Sequence, residues 1–378
     1  AWAAVCNVFR ITEWPSRLIR KSRPAGGAWA AVCNVFRITE WPSRLAGALV
    51  AAIVALAPAA AAAQQIVKIA TLAPEGSTWM TVLRAYQAAV EEASGERLQF
   101  RIFPGGVSGS EADMLRKVRF GQLDAVALTG AGLGLVVPEE RVLDGALLFR
   151  NEAEIDAVYR QFTPELERMF EARGYVVLGW AEVGPIYLFS TSPVASVEEL
   201  RRLRWWMLED DPLAAAIFAA FGADPVPLHV ADVLTALQTG VIDGVYSSPL
   251  ALLALQWFSR VDYRLDLPLG HASGALLMNR RTFSRLAPDL REILVDNGRR
   301  FMAELQQRSR ADNEAALAAL ARRGVQPVAP GPGAADLLRA QGAVARRALA
   351  PELYPEALLD RVEAALAAHR SAHRSATS

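Results

Sequence analysis

The residues best suited to recognising a small molecule lie in one segment of this 378-residue chain, LRRLRWWMLEDD, which begins at Leu200. Trp205 and Trp206 supply large aromatic faces beside the basic Arg204 and the acidic Glu209. An indole face attracts a cation by about 0.5 to 2 kcal/mol and also packs against flat apolar groups. Neighbouring residues of a strand face opposite sides, so we expect Trp205 to pack in a core and Trp206 to face a ligand. The segment therefore predicts a binding site for a small molecule.

Patterns typical of enzymes are weak in this sequence. The run GAGLG from Gly130 to Gly134 follows a predicted strand, but Pro138 lies where a dinucleotide-binding helix would continue, so we interpret the run as a cleft loop. The acidic pair Asp210 and Asp211 precedes Pro212 and is interpreted as helix capping. The sequence contains no GxSxG elbow, and its four histidines form no metal-binding constellation within the predicted fold. We predict a protein that is not an enzyme and needs no cofactor or metal.

Composition excludes several classes of protein. The chain carries 40 basic and 40 acidic residues, so no net charge indicates a nucleic-acid or anionic-membrane partner. Apolar residues make up 52% of the chain, enough for a large core, and the length suggests two domains. Both cysteines, Cys6 and Cys33, lie in an N-terminal duplication, so we expect no disulfide in the folded part.

The N-terminal region contains two features that we separate from the fold. Residues 1–18 recur without a change as residues 28–45, and we interpret this head, residues 1–45, as an upstream reading-frame or cloning artefact. Residues 44–63 then combine Arg44, an uncharged apolar run and a final Ala-Ala-Ala, which is typical of a cleavable export signal. A transmembrane anchor is the alternative, since about 20 apolar residues span a bilayer. We expect a periplasmic protein that begins near Gln64.

Beyond Gln64, short apolar runs alternate with helical patterns, which is typical of an α/β protein with mostly parallel strands. The helical region from Asn151 to Arg173 is expected to break at Pro164. The longest helical pattern runs from residue 288 to residue 323 and predicts a helix about 54 Å long, which exceeds one small lobe.

Three motifs give the chain a resemblance to the solute receptors of TRAP transporters, the DctP family. They are IATLAPEGSTW from Ile69, GSEADMLRKVRFGQLD from Gly109 and ALQTGVIDG from Ala236, and they occur in the family's order and spacing. The likeness covers most of residues 66–370. It implies a two-lobed periplasmic binding protein of the Venus-flytrap type, with a long helix that spans both lobes.

The resemblance also implies domain boundaries and a site. Lobe I is expected at residues 66–185 plus about 273–300, and lobe II at residues 186–272 plus about 325–370. The spanning helix is expected at residues 288–323. Carried over residue by residue, and extended by the acidic and aromatic residues nearby, the expected substrate-binding residues are Leu72, Glu75, Trp79, Glu111, Thr129, Ile186, Trp206, Glu209, Val230, Tyr246 and Ser247, with Ser248 as the alternative to Ser247.

Two of these positions depart from the family pattern. Ile186 and Trp206 stand where sialic-acid-type members have arginines, and an arginine suits a carboxylate because its planar fork makes two charge-assisted hydrogen bonds. Three hypotheses follow for the solute. It is apolar, aromatic or cationic and stacks on Trp206, with Trp180 among the further cage residues; or it is an acid bound by Arg204; or it is an acid bound by backbone N–H groups at helix starts near residues 76–79 or 109–112.

The function implied by the resemblance is capture of a small organic solute between two lobes and its delivery to a membrane permease driven by an ion gradient. The expected partners are therefore this solute and the TRAP permease subunits. A periplasmic solute sensor of the same fold is the alternative function.

Overall fold

The structure is a computed structural model that describes residues 64–350 and 352–377. The duplicated head and the predicted export signal lie outside the described residues. Within the described ranges, no helix combines the length and the apolar character that a bilayer crossing requires.

The described residues form ten strands, eight of which share one mixed sheet. The sheet order is β10-β8-β4-β9-β3-β1-β2, with β7 also paired to β4, while β5 and β6 form a separate parallel pair. The strands are β1 Gln65–Thr71, β2 Leu98–Phe103, β3 Ala125–Thr129, β4 Tyr175–Ser190, β5 Trp206–Leu208, β6 Val226–Leu228, β7 Gly244–Ser247, β8 Tyr263–Leu265, β9 Gly270–Asn279 and β10 Gln326–Val328.

The α-helices cover the faces of these sheets. They are α1 Thr78–Ala93, α2 Glu111–Arg119, α3 Gly130–Gly134, α4 Glu152–Ala172, α5 Val197–Arg201, α6 Pro212–Phe221, α7 Val233–Gln238, α8 Pro249–Ala254, α9 Arg280–Arg285, α10 Pro288–Arg322, α11 Ala334–Leu349 and α12 Glu356–Thr377. Three 3₁₀ helices, Pro138–Asp144, Val230–Asp232 and Trp257–Arg260, complete the described secondary structure.

The fold has two lobes, which the long strand β4 connects. Lobe I is built on β1, β2 and β3, and lobe II on β5, β6, β7, β8 and β10. The first part of β4 pairs with β9, and its last four residues pair with β7 and β8. The register of β4 shifts between Glu182 and Gly184, and Gly184 has a φ of 114°, a left-handed value that favours glycine. This irregularity lies where the strand passes from one lobe to the other.

The long helix α10 confirms the predicted spanning helix. Pro288 is its first residue, where the missing N–H group breaks no helical hydrogen bond, and its 35 residues extend about 52 Å. Leu294 and Leu305 are buried in the lobe I core, whereas Leu320 is buried in the lobe II core. One apolar stripe on a single helix therefore contributes to both cores.

Three details differ from the sequence-based expectations. The strands were expected to be mostly parallel, but β9 pairs antiparallel with β3 and β4, and β4 pairs antiparallel with β7 and β8. Helix α4 continues through Pro164 without a break, because Phe162, Leu166 and Phe170 fix its apolar face in the lobe I core. The C-terminal helix α12 was expected in lobe II, but Leu359 and Val362 are buried in that same lobe I core. Burial of its apolar stripe against α4 explains the placement.

Candidate functional site

A cavity of about 280 Å³ lies between the two lobes. Lobe I contributes Leu72, Trp79 and Thr129 to its lining, and lobe II contributes Trp206 and Tyr246. Most of the other lining residues are apolar. A molecule bound in this cavity would therefore contact both lobes at once.

Trp206 and Tyr246 form an aromatic wall on the lobe II side. Their rings are stacked with centroids 4.8 Å apart and an interplanar angle of 17°, and Trp257 contacts Trp206 edge-on at 5.1 Å. The indole N–H of Trp206 donates to the Leu228 carbonyl at 2.9 Å, and the Tyr246 hydroxyl accepts from the Leu208 amide at 3.2 Å. These bonds fix both rings, so the wall is rigid before any ligand arrives.

The stacking changes the predicted aromatic cage. A flat ligand between two rings needs them about 7 Å apart, twice the usual carbon–carbon contact, so Trp206 and Tyr246 act as one wall and do not enclose a ligand between them. Trp180 does not line the cavity, because its indole N–H donates to Glu167 at 2.9 Å elsewhere in lobe I. Trp205 is buried on the opposite face of the segment and donates to the Leu200 carbonyl, as expected for a core residue.

Arg204 does not supply the predicted charge. Its guanidinium binds both carboxylate oxygens of Asp243, with Nε 2.8 Å from Oδ2 and Nη2 2.7 Å from Oδ1, and its side chain is 54% exposed. Strand β5 begins only at Trp206, so the alternation that would have placed Arg204 on the cavity side does not extend to it. Ile186 stands at the other position where sialic-acid-type members have an arginine. It lines the cavity and carries no charge.

Glu75 and Glu209 also lie outside the cavity lining. Glu75 pairs with Arg84 at 3.0 Å on the solvent side of α1, and Glu209 lies 2.9 Å from His229 with about half of each side chain exposed. The residue after Glu209, Asp210, has a φ of 59°. This left-handed turn directs the chain from β5 towards α6.

Arg141 is the charged centre of the site, and the sequence did not single it out. Its side chain is 6% exposed and donates to Asp144 through Nη1 and to Asp211 through Nη2, with Nη2 3.0 and 3.2 Å from the two Asp211 oxygens. Asp211 also caps α6 by accepting from the Leu213 amide at 3.1 Å. Burial opposes the charge of Arg141, but Asp211 and Asp144 raise its pKa overall. Arg141 is thus cationic and already bound to two carboxylates.

The glycines of GAGLG make room for the charged groups of the site. A β-carbon on Gly130 would collide with Asp144, one on Gly132 would lie 2.8 Å from the Glu111 carboxyl, and one on Gly134 would lie 2.6 Å from the Arg141 side chain. Any larger residue at these positions would displace one of those side chains. The motif therefore packs protein side chains instead of a nucleotide.

Glu111 lines the lobe I side of the cavity and is buried. Its carboxyl group accepts from the Thr129 amide at 2.7 Å and from the Thr129 hydroxyl at 2.9 Å. Burial raises the pKa of Glu111 to about 7, although the Thr129 hydrogen bonds and the Arg141 charge oppose the shift. Its charge consequently changes near neutral pH.

Behind Asp144 lies a buried polar cluster that we call the orphan cluster. It comprises Glu140, Tyr159, Ser273 and His271. The Glu140 carboxyl oxygens, Tyr159 Oη and Ser273 Oγ make no well-formed hydrogen bond within the described residues, and His271 Nε2 lies 3.4 Å from Glu182 Oε2. Burial and the Asp144 charge raise the pKa of Glu140 well above its ordinary value, and burial lowers the pKa of His271 to about 3. His271 lines the cavity in its neutral form.

The remaining predicted residues also lie at the cavity. Val230, Ser247 and Ser248 all line it, and Ser248 additionally caps α8 by accepting from the Ala251 amide. At the start of α1, Ser77 and Thr78 line the cavity beside Trp79. Among residues 109–112, by contrast, only Glu111 contributes to the lining.

A sequence signal for the missed residues does exist. Four charged residues, Glu139, Glu140, Arg141 and Asp144, interrupt an otherwise apolar run, LGLVVPEERVLDGALLF from Leu133 to Phe149. Charged residues inside such a run are candidates for burial in pairs. In this structure Glu140, Arg141 and Asp144 are buried, whereas Glu139 is partly exposed and pairs with Arg173.

Three comparisons with known proteins agree with this architecture. The sequence profile of the family described as bacterial extracellular solute-binding protein, family 7 (DctP), matches residues 69–340. A solute-binding protein of Verminephrobacter eiseniae is 28% identical over 271 residues, which cover 71% of this chain and 80% of that relative. The 2,3-diketo-L-gulonate-binding periplasmic protein YiaO of Escherichia coli is 27% identical over 240 residues, which cover 60% of this chain and 71% of that protein.

The fold also matches solved structures. DctP7, an extracytoplasmic solute receptor of Bordetella pertussis that binds pyroglutamic acid, superposes with a TM-score of 0.74 over 79% of this chain and 99% of DctP7. The two sequences are 21% identical, so the likeness concerns the fold alone.

Proposed function

Because the chain belongs to family 7 of the bacterial extracellular solute-binding proteins, the DctP family, we propose that it is the solute receptor of a TRAP transporter. In this role it captures a small organic solute between its lobes and delivers it to a membrane permease driven by an ion gradient. No bond is made or broken. We place the receptor in the periplasm, where its relatives work, with residues 44–63 as its export signal.

One observation carries this proposal: the same cavity is lined by both lobes, on either side of the crossing strand β4. A solute shifts a hinge equilibrium only when it contacts the two sides differently in the open and closed forms. Trp79 and Thr129 on one side and Trp206 on the other allow such a solute to favour closure. Closure is then the state that a permease recognises.

We further infer that the chain represents a subgroup in which Trp206 replaces the carboxylate-binding arginine. Its indole is fixed by Tyr246 and the Leu228 carbonyl and bounds an apolar chamber. The solute that fits best is apolar, aromatic or cationic, with its body against this wall. An organic acid, as in the diketogulonate and pyroglutamate receptors, would have to rely on backbone N–H groups at the start of α1.

Native mass spectrometry of the protein isolated from its own periplasm tests the proposal. We expect one small organic molecule per chain, and addition of that molecule to the emptied protein should raise the thermal midpoint. A protein that carries no solute and shows no shift with acids, cations, aromatic compounds or other metabolites contradicts the receptor function.

A further inference from the structure

The charges that line the cavity are unbalanced. Among the described residues of the lining, Arg141 is the one Lys or Arg side chain, whereas Glu111, Asp144 and Asp211 are acidic. His271 is neutral because burial lowers its pKa to about 3. Burial raises the pKa of Asp144, so the surplus of negative charge develops as that carboxyl group ionises: two aspartates then face one guanidinium, even with Glu111 protonated.

Two carboxylates already balance the positive charge of Arg141. Nη1 is bonded to Asp144 and Nη2 to both oxygens of Asp211, and all three side chains are at most 6% exposed. A solute carboxylate that displaced one of these aspartates would leave it buried without its partner, and one that approached the remaining Arg141 N–H groups would meet the negative charge of both aspartates. Uncompensated burial of a carboxylate strongly opposes binding.

The carboxylates, in contrast, retain capacity to accept. Each ionised carboxyl group has about four lone-pair sites. Asp144 uses one for the Ser273 amide, at 2.9 Å, and one for Arg141, while Asp211 accepts from Arg141 and the Leu213 amide. Beyond Asp144, His271 is the one member of the orphan cluster that lines the cavity, and its neutral ring adds no positive charge.

We propose that the solute carries a cationic, hydrogen-bond-donating group of the ammonium or amidinium class, which binds at Asp144 and Asp211 while its apolar body lies against Trp206. This inference rests on the proposed function and adds the sign of the solute's charge to it. The aspartates supply the counter-charge, and the aromatic wall supplies apolar contact and, for a group near the ring, cation–π attraction.

Calorimetric titration with charge-matched solutes tests the inference on the unmodified protein. The probes are benzylamine, benzyl alcohol and benzoate, with the corresponding cyclohexylmethyl and pentyl series, so that each set keeps its skeleton and changes only its head group. We expect the amine of at least one set to bind about tenfold or more tightly than its carboxylate.

Variants locate the contact. Asp144→Asn and Asp211→Asn should each weaken the amine about tenfold and leave the alcohol nearly unchanged, since only the amine uses the negative charge. Glu209→Gln is the matched control, because it removes a neighbouring negative charge outside the cavity, and it should leave both affinities unchanged. Circular dichroism of each variant establishes that it is folded.

The outcomes separate this inference from the receptor proposal. Tighter binding of a carboxylate than of its amine, or a co-purified solute that is an acid without a cationic group, overturns the inference and leaves the receptor function intact. Amine binding that Asp144→Asn and Asp211→Asn do not weaken also overturns it. If no probe binds and no solute co-purifies, the proposed function itself fails and the inference falls with it.

Discussion

Arg141 Nη2 lies 3.0 Å from Asp211 Oδ1, and this buried ion pair joins lobe I to lobe II at the cavity. Arg141 belongs to the 3₁₀ helix Pro138–Asp144, and Asp211 is the N-cap of α6. Because each residue belongs to a different lobe, opening of the cleft must separate the pair or carry one partner with the other. The pair therefore links solute capture to the energetics of closure.

Removal of Arg141 should destabilise the protein strongly. Arg141→Met leaves Asp144 and Asp211 buried without their cation, and we expect the free energy of unfolding to fall by about 3 to 5 kcal/mol in urea denaturation. The double variant Arg141→Met/Asp211→Asn should lose less than the sum of the single losses, because the two changes remove the same interaction.

Arg204→Met provides the matched control for this prediction. Arg204 also pairs with Asp243, at 2.7 Å, but the arginine is 54% exposed, so its loss should lower the free energy of unfolding far less than the loss of Arg141. Equal losses of unfolding free energy for Arg141→Met and Arg204→Met would show that burial of the Arg141–Asp211 pair does not make it more important for stability than an exposed pair.

Shortening of Trp206 should abolish tight solute binding. Trp206→Ala removes the ring that bounds the cavity and opens space beside Tyr246, so we expect affinity for the co-purified solute to fall about tenfold to a hundredfold. Trp206→Phe should fall less, because it keeps an aromatic face. Trp180→Phe, which changes a tryptophan outside the cavity, should bind like the unmodified protein. Unchanged affinity in Trp206→Ala would contradict the proposed contribution of the aromatic wall to solute binding.

Glu111 should make stability depend on pH near neutrality. Burial raises its pKa from 4.5 to about 7, so between these values the folded state holds a proton that the unfolded state has released. The unfolding free energy should therefore decrease as pH rises from about 4.5 to about 7, by up to about 3 kcal/mol from this group. Below pH 4.5 both states are protonated and the decrease has not begun.

Glu111→Gln isolates this effect. Glutamine mimics the protonated acid and can keep both contacts to Thr129, so the variant should be more stable than the unmodified protein at pH 8 and similar at pH 4.5. Arg141, the charged group that faces Glu111, and His271 are present in both proteins. Neither residue therefore accounts for a difference between the two pH–stability curves. Parallel pH–stability curves for the two proteins would show that Glu111 titrates normally.

Gly132 should not tolerate even a methyl group. A β-carbon at this position would lie 2.8 Å from the Glu111 carboxyl, so Gly132→Ala should shift that side chain and reduce both stability and solute affinity. Gly331→Ala is a fair comparison, since its β-carbon would meet only the Ala195 carbonyl at 3.4 Å. A Gly132→Ala protein that matches Gly331→Ala in both measurements would contradict the packing described for GAGLG.

Much of the architecture could be predicted because local patterns determine it. The alternation of strands and helices, the α10 stripe from Leu290 to Leu320 and the capping of α6 by Asp211 each depend on residues close in sequence. The same holds for the resemblance at Ala236 to Gly244, which identified the family. Placement of α12 could not be predicted this way, because it depends on which distant apolar surface accepts its stripe.

The site was only partly predictable for the same reason. The cavity lining includes most of the predicted substrate-binding residues, whose contact with a solute stays a prediction: Leu72, Trp79, Glu111, Thr129, Ile186, Trp206, Val230, Tyr246 and Ser247. The role of Arg141 in the site could not be predicted, because its partner Asp211 lies 70 positions away in the sequence. Glu75 and Glu209 were wrongly placed because local sequence does not reveal which side of a turn faces solvent. Exposed contacts with Arg84 and His229, respectively, fix their positions.

A crystal structure of the protein with its co-purified solute tests the central claim most directly. We predict one solute molecule in the cavity between the lobes, within about 4 Å of the Trp206 ring and in contact with Thr129 or Trp79 of lobe I. A solute bound outside this cavity, or one that touches a single lobe, would contradict the account.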